Sequence, residues 1–204
     1  MLKLRRIGVT GGISSGKTTV CQFLKELGAY VVSADQIGHH LLIPTTDLGK
    51  EVENLVGSDC IINAKFDREK ISKKVFNNPD LLLRLEEILH PKIRIEIENA
   101  FEKASKLHPL PRLLVAEVPL LFEAGFESLF CGVIAVVSDE KICEMRYEKS
   151  GRSDFKVRSS RQLPPEEKAR RSQYIIDNRG SYEELRSQVT NLFNYNLSGD
   201  NVSL

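Results

Sequence analysis

GGISSGKT, at residues 11 to 18, is the stretch that decides the fold. It matches G-x-x-x-x-G-K-[ST], the P-loop pattern, in which backbone N–H groups surround a phosphate. An apolar segment, Leu4 to Thr10, precedes it. Apolar residues then follow at the spacing of one helix face, namely Val20, Phe23, Leu24 and Leu27. This order predicts a strand, a phosphate-binding loop and a helix, and we call residues 11–18 the P-loop.

The residue types of the P-loop are suited to binding the phosphates of a nucleoside triphosphate. Its glycines allow the backbone to curl around an anion, and the dipole of the following helix adds partial positive charge. Lys17 is expected to reach the β- and γ-phosphates, and the Thr18 hydroxyl is expected to bind Mg²⁺. The alternative is a glycine-rich turn that only caps a helix.

Bulk composition limits the class of protein and its partners. The 204 residues suffice for one α/β domain, and a net charge of +1 gives no case for nucleic-acid binding. The four cysteines form no C-x-x-C pair, which indicates reduced thiols. No stretch approaches the ~20 apolar residues of a membrane span, and residues 1–10 carry no signal peptide. We therefore expect a cytoplasmic protein with no membrane association and no obligate protein partner.

Four further apolar runs predict the rest of a sheet: Tyr30–Ser33, Arg112–Val118, Gly132–Val137 and Tyr174–Asp177. Helical patterns separate these runs, and their apolar residues do not alternate, which is typical of strands covered on both faces. This arrangement predicts an α/β fold with a doubly wound, parallel, five-stranded sheet. Ligands bind such sheets at the carboxyl ends of the strands, so the loops there are candidate sites.

Two boundaries follow from local chemistry. His90-Pro91 should kink or break a helix within residues 78–107, because proline removes a backbone donor. Ser138 should cap a helix over residues 139–150, because serine is a favoured N-cap residue.

Carboxylates follow two of the predicted strands. Asp35 comes directly after the second strand, where it can accept a proton from a hydroxyl nucleophile or bind a water on Mg²⁺. The alternative for Asp35 is an N-cap of the next helix. Glu117 ends the third strand and is either a metal-side carboxylate or simply solvated. Glu123, in the loop beyond it, suits a structural or loop-closing role.

The segment from Arg146 to Arg161 is locally basic. A solvated charged face is the usual fate of such runs. After a P-loop, however, a kinase needs a movable segment with arginines, which neutralises charge on the transferred phosphoryl group and excludes water. We therefore favour a lid over about 146–171, in which Arg146 and Arg158 are the main cations.

The histidines and the missing motifs narrow the class further. His90 is a general base, a ligand contact or a buried histidine packed beside Pro91. The histidines match no Cys or carboxylate cluster at metal spacing, so no zinc site is expected. There is no Asn-Lys-x-Asp tetrad of the kind that reads guanine in GTPases. Chain length and element order favour a small-molecule kinase of the nucleoside-monophosphate-kinase type.

Several separated segments together resemble the dephospho-CoA kinase family, over nearly everything from Ile7 to about Leu192. These segments are Gly8–Thr18, Ser33–Ile37, Ile88–Pro91 with Arg94, Val118–Glu123, Gln162 with Glu166–Lys168, and Ile175–Asn178. The P-loop alone is shared by many nucleotide-binding families. The pieces Leu-His-Pro and Pro-Leu-Leu-Phe-Glu, in this order, are much more specific.

The resemblance implies a reaction and residue roles. ATP would phosphorylate the ribose 3′-hydroxyl of dephospho-CoA, giving ADP and coenzyme A in the last step of coenzyme A biosynthesis. Asp35 matches the family's strand-end aspartate, which would orient or deprotonate this hydroxyl. Lys17 and Mg²⁺ would neutralise the β- and γ-phosphates, and Arg146 and Arg158 match lid arginines. Asn178 would lie near the adenine of ATP.

Binding residues and domain organisation are implied in the same way. ATP would contact Gly12, Ile13, Ser14, Ser15, Gly16, Lys17, Thr18, Thr19 and Asn178, with Thr18 also at Mg²⁺. Dephospho-CoA would contact Asp35, His90, Arg94 and Leu120, although His90 with Pro91 alternatively only shapes the subdomain. Residues 1–204 would form a single P-loop kinase domain, with a helical dephospho-CoA-binding insertion over about 46–107.

Two positions depart from the family pattern. Ser150 stands where the family commonly has a second lid arginine, and Ser172-Gln173 stands where it usually has Ala-Asp. Two other hypotheses therefore stay open. One is another small-molecule kinase of this fold, and the other is a nucleotide-dependent switch that hydrolyses ATP slowly without an acceptor.

Overall fold

A sheet of parallel strands forms the centre of the molecule in a computed structural model, which describes residues 4–197. The strands within that range are β1 (Arg6–Gly11), β2 (Ala29–Ser33), β3 (Ile61–Ile62), β4 (Lys65–Phe66), β5 (Leu113–Glu117), β6 (Gly132–Val137) and β7 (Tyr174–Asp177). The main sheet has five strands in the order β2-β5-β1-β6-β7, and all its neighbours are parallel. The predicted five-stranded parallel α/β fold is confirmed.

The connections between these strands are mostly helical. The α-helices within residues 4–197 are α1 (Lys17–Glu26), α2 (Ala34–Leu41), α3 (Asp47–Val56), α4 (Arg68–Phe76), α5 (Pro79–Ala104), α6 (Glu140–Glu148), α7 (Phe155–Ser159), α8 (Pro165–Arg171) and α9 (Tyr182–Leu192). Across the described part of the chain, none of these helices combines the length and apolarity that a membrane span requires.

The described residues divide into two compact units, each with its own apolar core. The first contains residues up to Ser33 and from Ala100 onward, and therefore the whole main sheet. One face of this sheet packs against α1 and α9, in a buried cluster that includes Ile7, Val9, Phe23, Leu24, Ile134, Val136, Leu185 and Val189. On the opposite face of the sheet, a Cβ added to Gly8 would lie 2.5 Å from Leu121 Cδ1. Side chains therefore cover both faces, as the non-alternating apolar runs predict.

The second unit, Ala34–Asn99, is mainly helical. Its core gathers Val52, Val56, Cys60, Phe66, Ile71, Val75 and Leu85 from α3, α4, α5 and a small hairpin. The hairpin pairs β3 with β4 around Asn63 and Ala64, whose φ angles of 50° and 57° are left-handed. Sequence analysis did not predict this hairpin, because each strand has only two residues.

Of the kink or break predicted at His90-Pro91, the break is wrong. Helix α5 runs from Pro79 to Ala104 with Pro91 inside it. Proline removes one intrahelical hydrogen bond, but Leu85 and Ile97 are buried on either side of it, at 7% and 0% exposed. Apolar burial on both sides of the proline favours one continuous helix over two shorter ones.

Candidate active site

The P-loop joins the end of β1 to the start of α1 through backbone conformations that favour glycine. Gly16 precedes α1 with φ 101°, and Gly11 ends β1 with φ 148°. A Cβ on Gly11 would lie 2.3 Å from the carbonyl oxygen of Val136, on the neighbouring strand β6. Larger residues would meet both strain and collision at these two positions, so the glycines of the pattern follow from the turn itself.

Lys17 lies folded over the loop that precedes it. Its side chain is nearly buried, and Nζ donates hydrogen bonds to the carbonyl oxygens of Gly11 (3.2 Å) and Gly12 (2.7 Å). The ammonium group is thus held beside the backbone that the pattern assigns to phosphate binding. An incoming phosphate would offer it stronger, charged acceptors than these carbonyls.

Glu117 lies at the carboxyl end of β5, in register with Val9 of β1 and Ser33 of β2. Its Oε1 accepts a hydrogen bond from the Thr18 hydroxyl at 2.9 Å. Of the two alternatives for Glu117, the metal-side position therefore fits the geometry better than a purely solvated one.

These two groups fit a magnesium ion. Hydroxyl and carboxylate oxygens are the hard ligands that Mg²⁺ takes, and Mg²⁺ is commonly held by one or two protein groups together with substrate phosphates. Within residues 4–197 there is no cluster of three His, Cys, Asp or Glu side chains that would hold a metal by itself. A site that relies on phosphate oxygens is consistent with that finding.

A cavity of about 420 Å³ opens beside the P-loop. It is lined by Ser14, Gly16, Lys17, Thr18, Thr19, Arg146, Asn178, Gly180, Tyr182 and Leu185. Six of these lining residues were predicted to take part in ATP binding, and Arg146 was predicted as a lid cation. Sequence analysis missed Gly180, Tyr182 and Leu185, although all three follow the end of β7, where the strand-end rule points to ligands.

Asn178 connects three parts of this cavity. Its side-chain Nδ2 donates to the Ser15 carbonyl at 2.7 Å. Its backbone carbonyl accepts from Ser138 Oγ (3.0 Å) and from Arg146 Nη2 (3.2 Å). Among the described residues, the buried Nη1 of Arg146 has no hydrogen-bond partner. A buried guanidinium nitrogen without a partner is costly in a protein, so this atom is suited to an acceptor supplied by a ligand.

The role predicted for Ser138 is wrong. The N-cap of α6 is Asp139, and the Ser138 hydroxyl instead donates to Asn178 across 40 positions of sequence. The tertiary hydrogen bond outweighs the local preference of serine for the N-cap position. It gives the Asn178 backbone carbonyl, which is close to the cavity, a donor.

Replacing Gly16 with alanine is expected to damage both stability and nucleotide binding. The new Cβ would lie 2.1 Å from Asn178 Nδ2, so the amide would have to leave the Ser15 carbonyl. We expect a loss of more than about 2 kcal/mol in the free energy of unfolding, because backbone strain of about 1–2 kcal/mol adds to the lost hydrogen bond. Denaturant titration and ATP binding measure the two effects.

Gly125→Ala is the matched control for Gly16→Ala. Gly125 also has a left-handed φ, 67°, but its Cβ would meet no atom within 4 Å. The Gly125→Ala variant should lose only the free energy of unfolding that backbone strain accounts for, about 1–2 kcal/mol, and should keep its affinity for ATP. Equal losses in the two variants would contradict the part assigned to Asn178.

Arg158 lies apart from the P-loop cavity, on α7 of the predicted lid. Its Nε donates to Asp154 Oδ2 at 2.6 Å, while Tyr147 OH donates to Oδ1 of the same carboxylate at 2.5 Å. These hydrogen bonds lower the pKa of Asp154. Ile13 of the P-loop packs against the neighbouring buried cluster of Cys143, Tyr147 and Phe155. The structure therefore joins the predicted lid to the P-loop through this apolar contact.

The two departures from the family pattern have local partners. Ser150 Oγ donates to the Tyr147 carbonyl at 2.6 Å and supplies no positive charge. Gln173 Oε1 accepts from the Val133 N–H of β6 at 2.8 Å. An aspartate could accept the same hydrogen bond, so glutamine keeps the contact between the end of the lid and the sheet.

Two cysteines near the site are held as thiols. Burial raises the pKa of Cys21 well above its ordinary value, and the negative charge of Glu117 raises it further. Burial also raises the pKa of Cys143. Neither thiol is suited to act as a nucleophile, because the thiolate is the reactive form.

The predicted acceptor-binding residues are divided between the two units. Asp35 is exposed in the first turn of α2, one residue past the helix start, so the N-cap alternative for it is wrong. His90 and Arg94 are half-buried on α5, and burial lowers the pKa of His90. Leu120, also half-buried, belongs to the other unit and follows β5.

Comparisons with known proteins identify the family of this chain. The family model of dephospho-CoA kinase matches residues 5–184. A dephospho-CoA kinase from Chlamydia pneumoniae is 45% identical over 98% of this chain and 99% of its own length, and one from Protochlamydia amoebophila is 40% identical over 95% and 97%.

Solved structures agree as well. The dephospho-CoA kinase of Campylobacter jejuni is 28% identical, with a TM-score of 0.68 over 92% of this chain and 94% of its own. A shikimate kinase from Acinetobacter baumannii, 17% identical with a TM-score of 0.53 over 94% and 93% of the two chains, shares the fold alone. By its P-loop, its strand-end residues and its match over nearly the full length, the chain belongs to the dephospho-CoA kinase family.

Proposed function

We propose that this protein transfers the γ-phosphoryl group of ATP to the ribose 3′-hydroxyl of dephospho-CoA, giving ADP and coenzyme A. This reaction is the last step of coenzyme A biosynthesis. The observation that carries the proposal is the P-loop cavity, with Lys17 over the loop and Thr18 against Glu117, in a chain that matches dephospho-CoA kinases end to end.

The nucleotide side of the proposal uses the first unit. Residues Gly12 to Thr19 would surround the phosphates, with the N-terminus of α1 adding partial positive charge. Lys17 would leave the Gly11 and Gly12 carbonyls for the β- and γ-phosphates. The cavity beside Asn178 and Arg146 would take the remainder of ATP.

The acceptor side rests on the family resemblance and on chain position. Asp35 follows β2, whose last residue pairs with Glu117 of β5. We assign Asp35 as the base that takes the proton of the 3′-hydroxyl. The hydroxyl oxygen then forms a bond to the γ-phosphorus, the bond to the bridging oxygen of ADP breaks, and ADP leaves. We assign the insertion of about 46–107, with His90 and Arg94, to dephospho-CoA binding, together with Leu120.

The lid proposal covers residues of about 146–171. Arg146 and Arg158 would approach the transferred phosphoryl group, where guanidinium groups neutralise charge and closure excludes water. Arg158 would have to exchange its ion pair with Asp154 for the phosphate. That exchange costs little energy, because the two side chains are 36% and 41% exposed and such surface pairs contribute little stability.

Magnesium would be held by Thr18, with Glu117 beside it, and would neutralise charge that develops on the β- and γ-phosphates. Thr18→Val keeps the shape of the side chain and removes the oxygen. We expect the magnesium concentration for half-maximal velocity to rise at least about tenfold. Thr18→Ser, which keeps the hydroxyl, should retain the wild-type magnesium requirement. A titration of velocity with MgCl₂ at fixed ATP compares the two, and identical curves would contradict this assignment.

The experiment that tests the function is ADP release from Mg-ATP with and without dephospho-CoA, with the product followed by mass. Acceptor-dependent ADP release with one phosphate added at the ribose 3′ position is the expected result. A panel of nucleosides and nucleoside monophosphates tests for another small-molecule kinase. Slow ADP release that no acceptor changes would overturn the proposal in favour of a nucleotide-dependent switch.

A further inference from the structure

Lys168, on α8, carries its charge in the interior of the protein. Its side chain is 0% exposed, and Nζ lies 3.0 Å from Glu123 Oε1. Burial lowers the pKa of Lys168, and the Glu123 carboxylate opposes that shift. Buried ion pairs are weak contributors to stability, since apolar residues of similar volume often replace them without loss. Stability alone is therefore a poor explanation for this pair.

The pair joins three segments of the chain. Lys168 Nζ also donates to the Pro119 carbonyl at 2.5 Å, and that oxygen accepts from Thr10 Oγ1 at 3.2 Å. Glu123 Oε1 in turn accepts from the Leu163 N–H at 2.8 Å. One ammonium group and one carboxylate thus connect β1, the loop after β5 and the end of the predicted lid.

Two of the three connected segments, the loop after β5 and β1, lead directly to the active site. Pro119 is two residues beyond Glu117, which accepts from the Thr18 hydroxyl. Thr10 precedes Gly11, whose carbonyl accepts from Lys17. The Lys168 side chain is 0% exposed, so any influence on the reaction passes through these neighbours.

We propose that Lys168 and Glu123 are positioning residues for the phosphoryl transfer. By fixing the peptide between Pro119 and Leu120, the pair holds Glu117 within hydrogen-bonding distance of Thr18, and so keeps the magnesium-side oxygens together. This inference rests on the proposed function. It assigns to two residues outside the P-loop a part in catalysis that the P-loop pattern does not reveal.

The first variant is Lys168→Met, which keeps much of the volume and removes the donor. We expect kcat to fall about tenfold or more, because small misplacements at an active site have large effects on rate. The magnesium concentration for half-maximal ATP binding, measured without acceptor by calorimetry, should rise. KM for dephospho-CoA should change much less than kcat.

The matched control is Arg171→Met on the same helix. Arg171 pairs with Glu127 at 2.8 Å and stacks over Phe122 at 4.4 Å, so its loss also weakens the docking of α8. Neither of these contacts involves Pro119, and we expect Arg171→Met to lower Tm without raising the magnesium requirement. Equal kcat losses in both variants at equal Tm would show that α8 docking alone matters, and would overturn the inference.

A double variant, Lys168→Met with Glu123→Gln, separates stability from positioning. It neutralises the Glu123 carboxylate, which is 17% exposed and which Lys168→Met alone leaves without its ammonium partner, so Tm should recover toward the wild-type value. The hydrogen bond to Pro119 stays lost, so kcat should stay low and the magnesium requirement high. If Lys168→Met does not fold, the double variant takes its place in the comparison with wild type.

The possible failures are distinguishable. Wild-type protein that phosphorylates no dephospho-CoA would refute the proposed function, while the magnesium dependence of ATP binding would still test the positioning role. An active wild type together with a double variant of unchanged kcat and magnesium requirement would refute the positioning role alone.

Discussion

Lys17→Met is expected to lower kcat about 10²- to 10³-fold, because it removes a positive charge aimed at the phosphates in the transition state. The structure holds the Lys17 ammonium 2.7 Å from the Gly12 carbonyl of the P-loop. Steady-state kinetics with saturating Mg-ATP and dephospho-CoA measure the loss. Weaker ATP binding should accompany it, since we assign the same ammonium group to the bound β- and γ-phosphates.

The control for Lys17 lies on the same helix. Lys25 is exposed in the last turn of α1, about two turns beyond Lys17. Lys25→Met changes the net charge by the same amount and should leave kcat unchanged. If both variants lost activity equally, bulk charge rather than the placement of Lys17 would be responsible.

Asp35→Asn is expected to reduce phosphoryl transfer about 10²- to 10⁴-fold, the range that general-base catalysis contributes. Asparagine has nearly the shape of aspartate but cannot take the proton from the 3′-hydroxyl. The position of Asp35 within α2 indicates that no N-cap is lost, so the fold should survive. Single-turnover phosphorylation of dephospho-CoA measures the effect, and ATP binding should stay close to wild type.

Asp47→Asn is the matched control, because Asp47 is another exposed aspartate in the first turn of a helix of the same unit. It should leave kcat unchanged. Near-normal turnover of the Asp35→Asn variant would contradict the assignment of Asp35 as the general base. Loss of ATP binding along with turnover would indicate a different role for Asp35.

Local patterns were sufficient wherever one segment decides its own structure. The P-loop, its flanking strand and its helix follow from glycine placement and from apolar spacing. The central sheet followed from short apolar runs between helices, because strands buried on both faces need such runs. Asn178 came from family resemblance alone, since nothing local marks an amide that reaches Ser15 from 163 positions away.

Predictions failed where distant contacts outweigh local preference. Ser138 bonds Asn178 rather than capping α6, and Pro91 lies inside α5 because burial on both sides sustains the helix. Glu117 stayed ambiguous until its hydrogen bond with Thr18 was visible. Lys168 was part of the family resemblance. Its burial against Glu123 depends on how two distant segments pack together, which the sequence does not reveal.

The hydrogen bonds from Lys17 to Gly11 and Gly12 make the protein's own backbone an internal competitor for its ligand. A nucleotide would bind the Lys17 ammonium only by displacing the Gly11 and Gly12 carbonyls. A single, more distant phosphate would compete poorly with these two carbonyls. Di- and triphosphates bring more negative charge to the same ammonium group. Discrimination against monophosphates would then begin in the P-loop itself, before any lid closes.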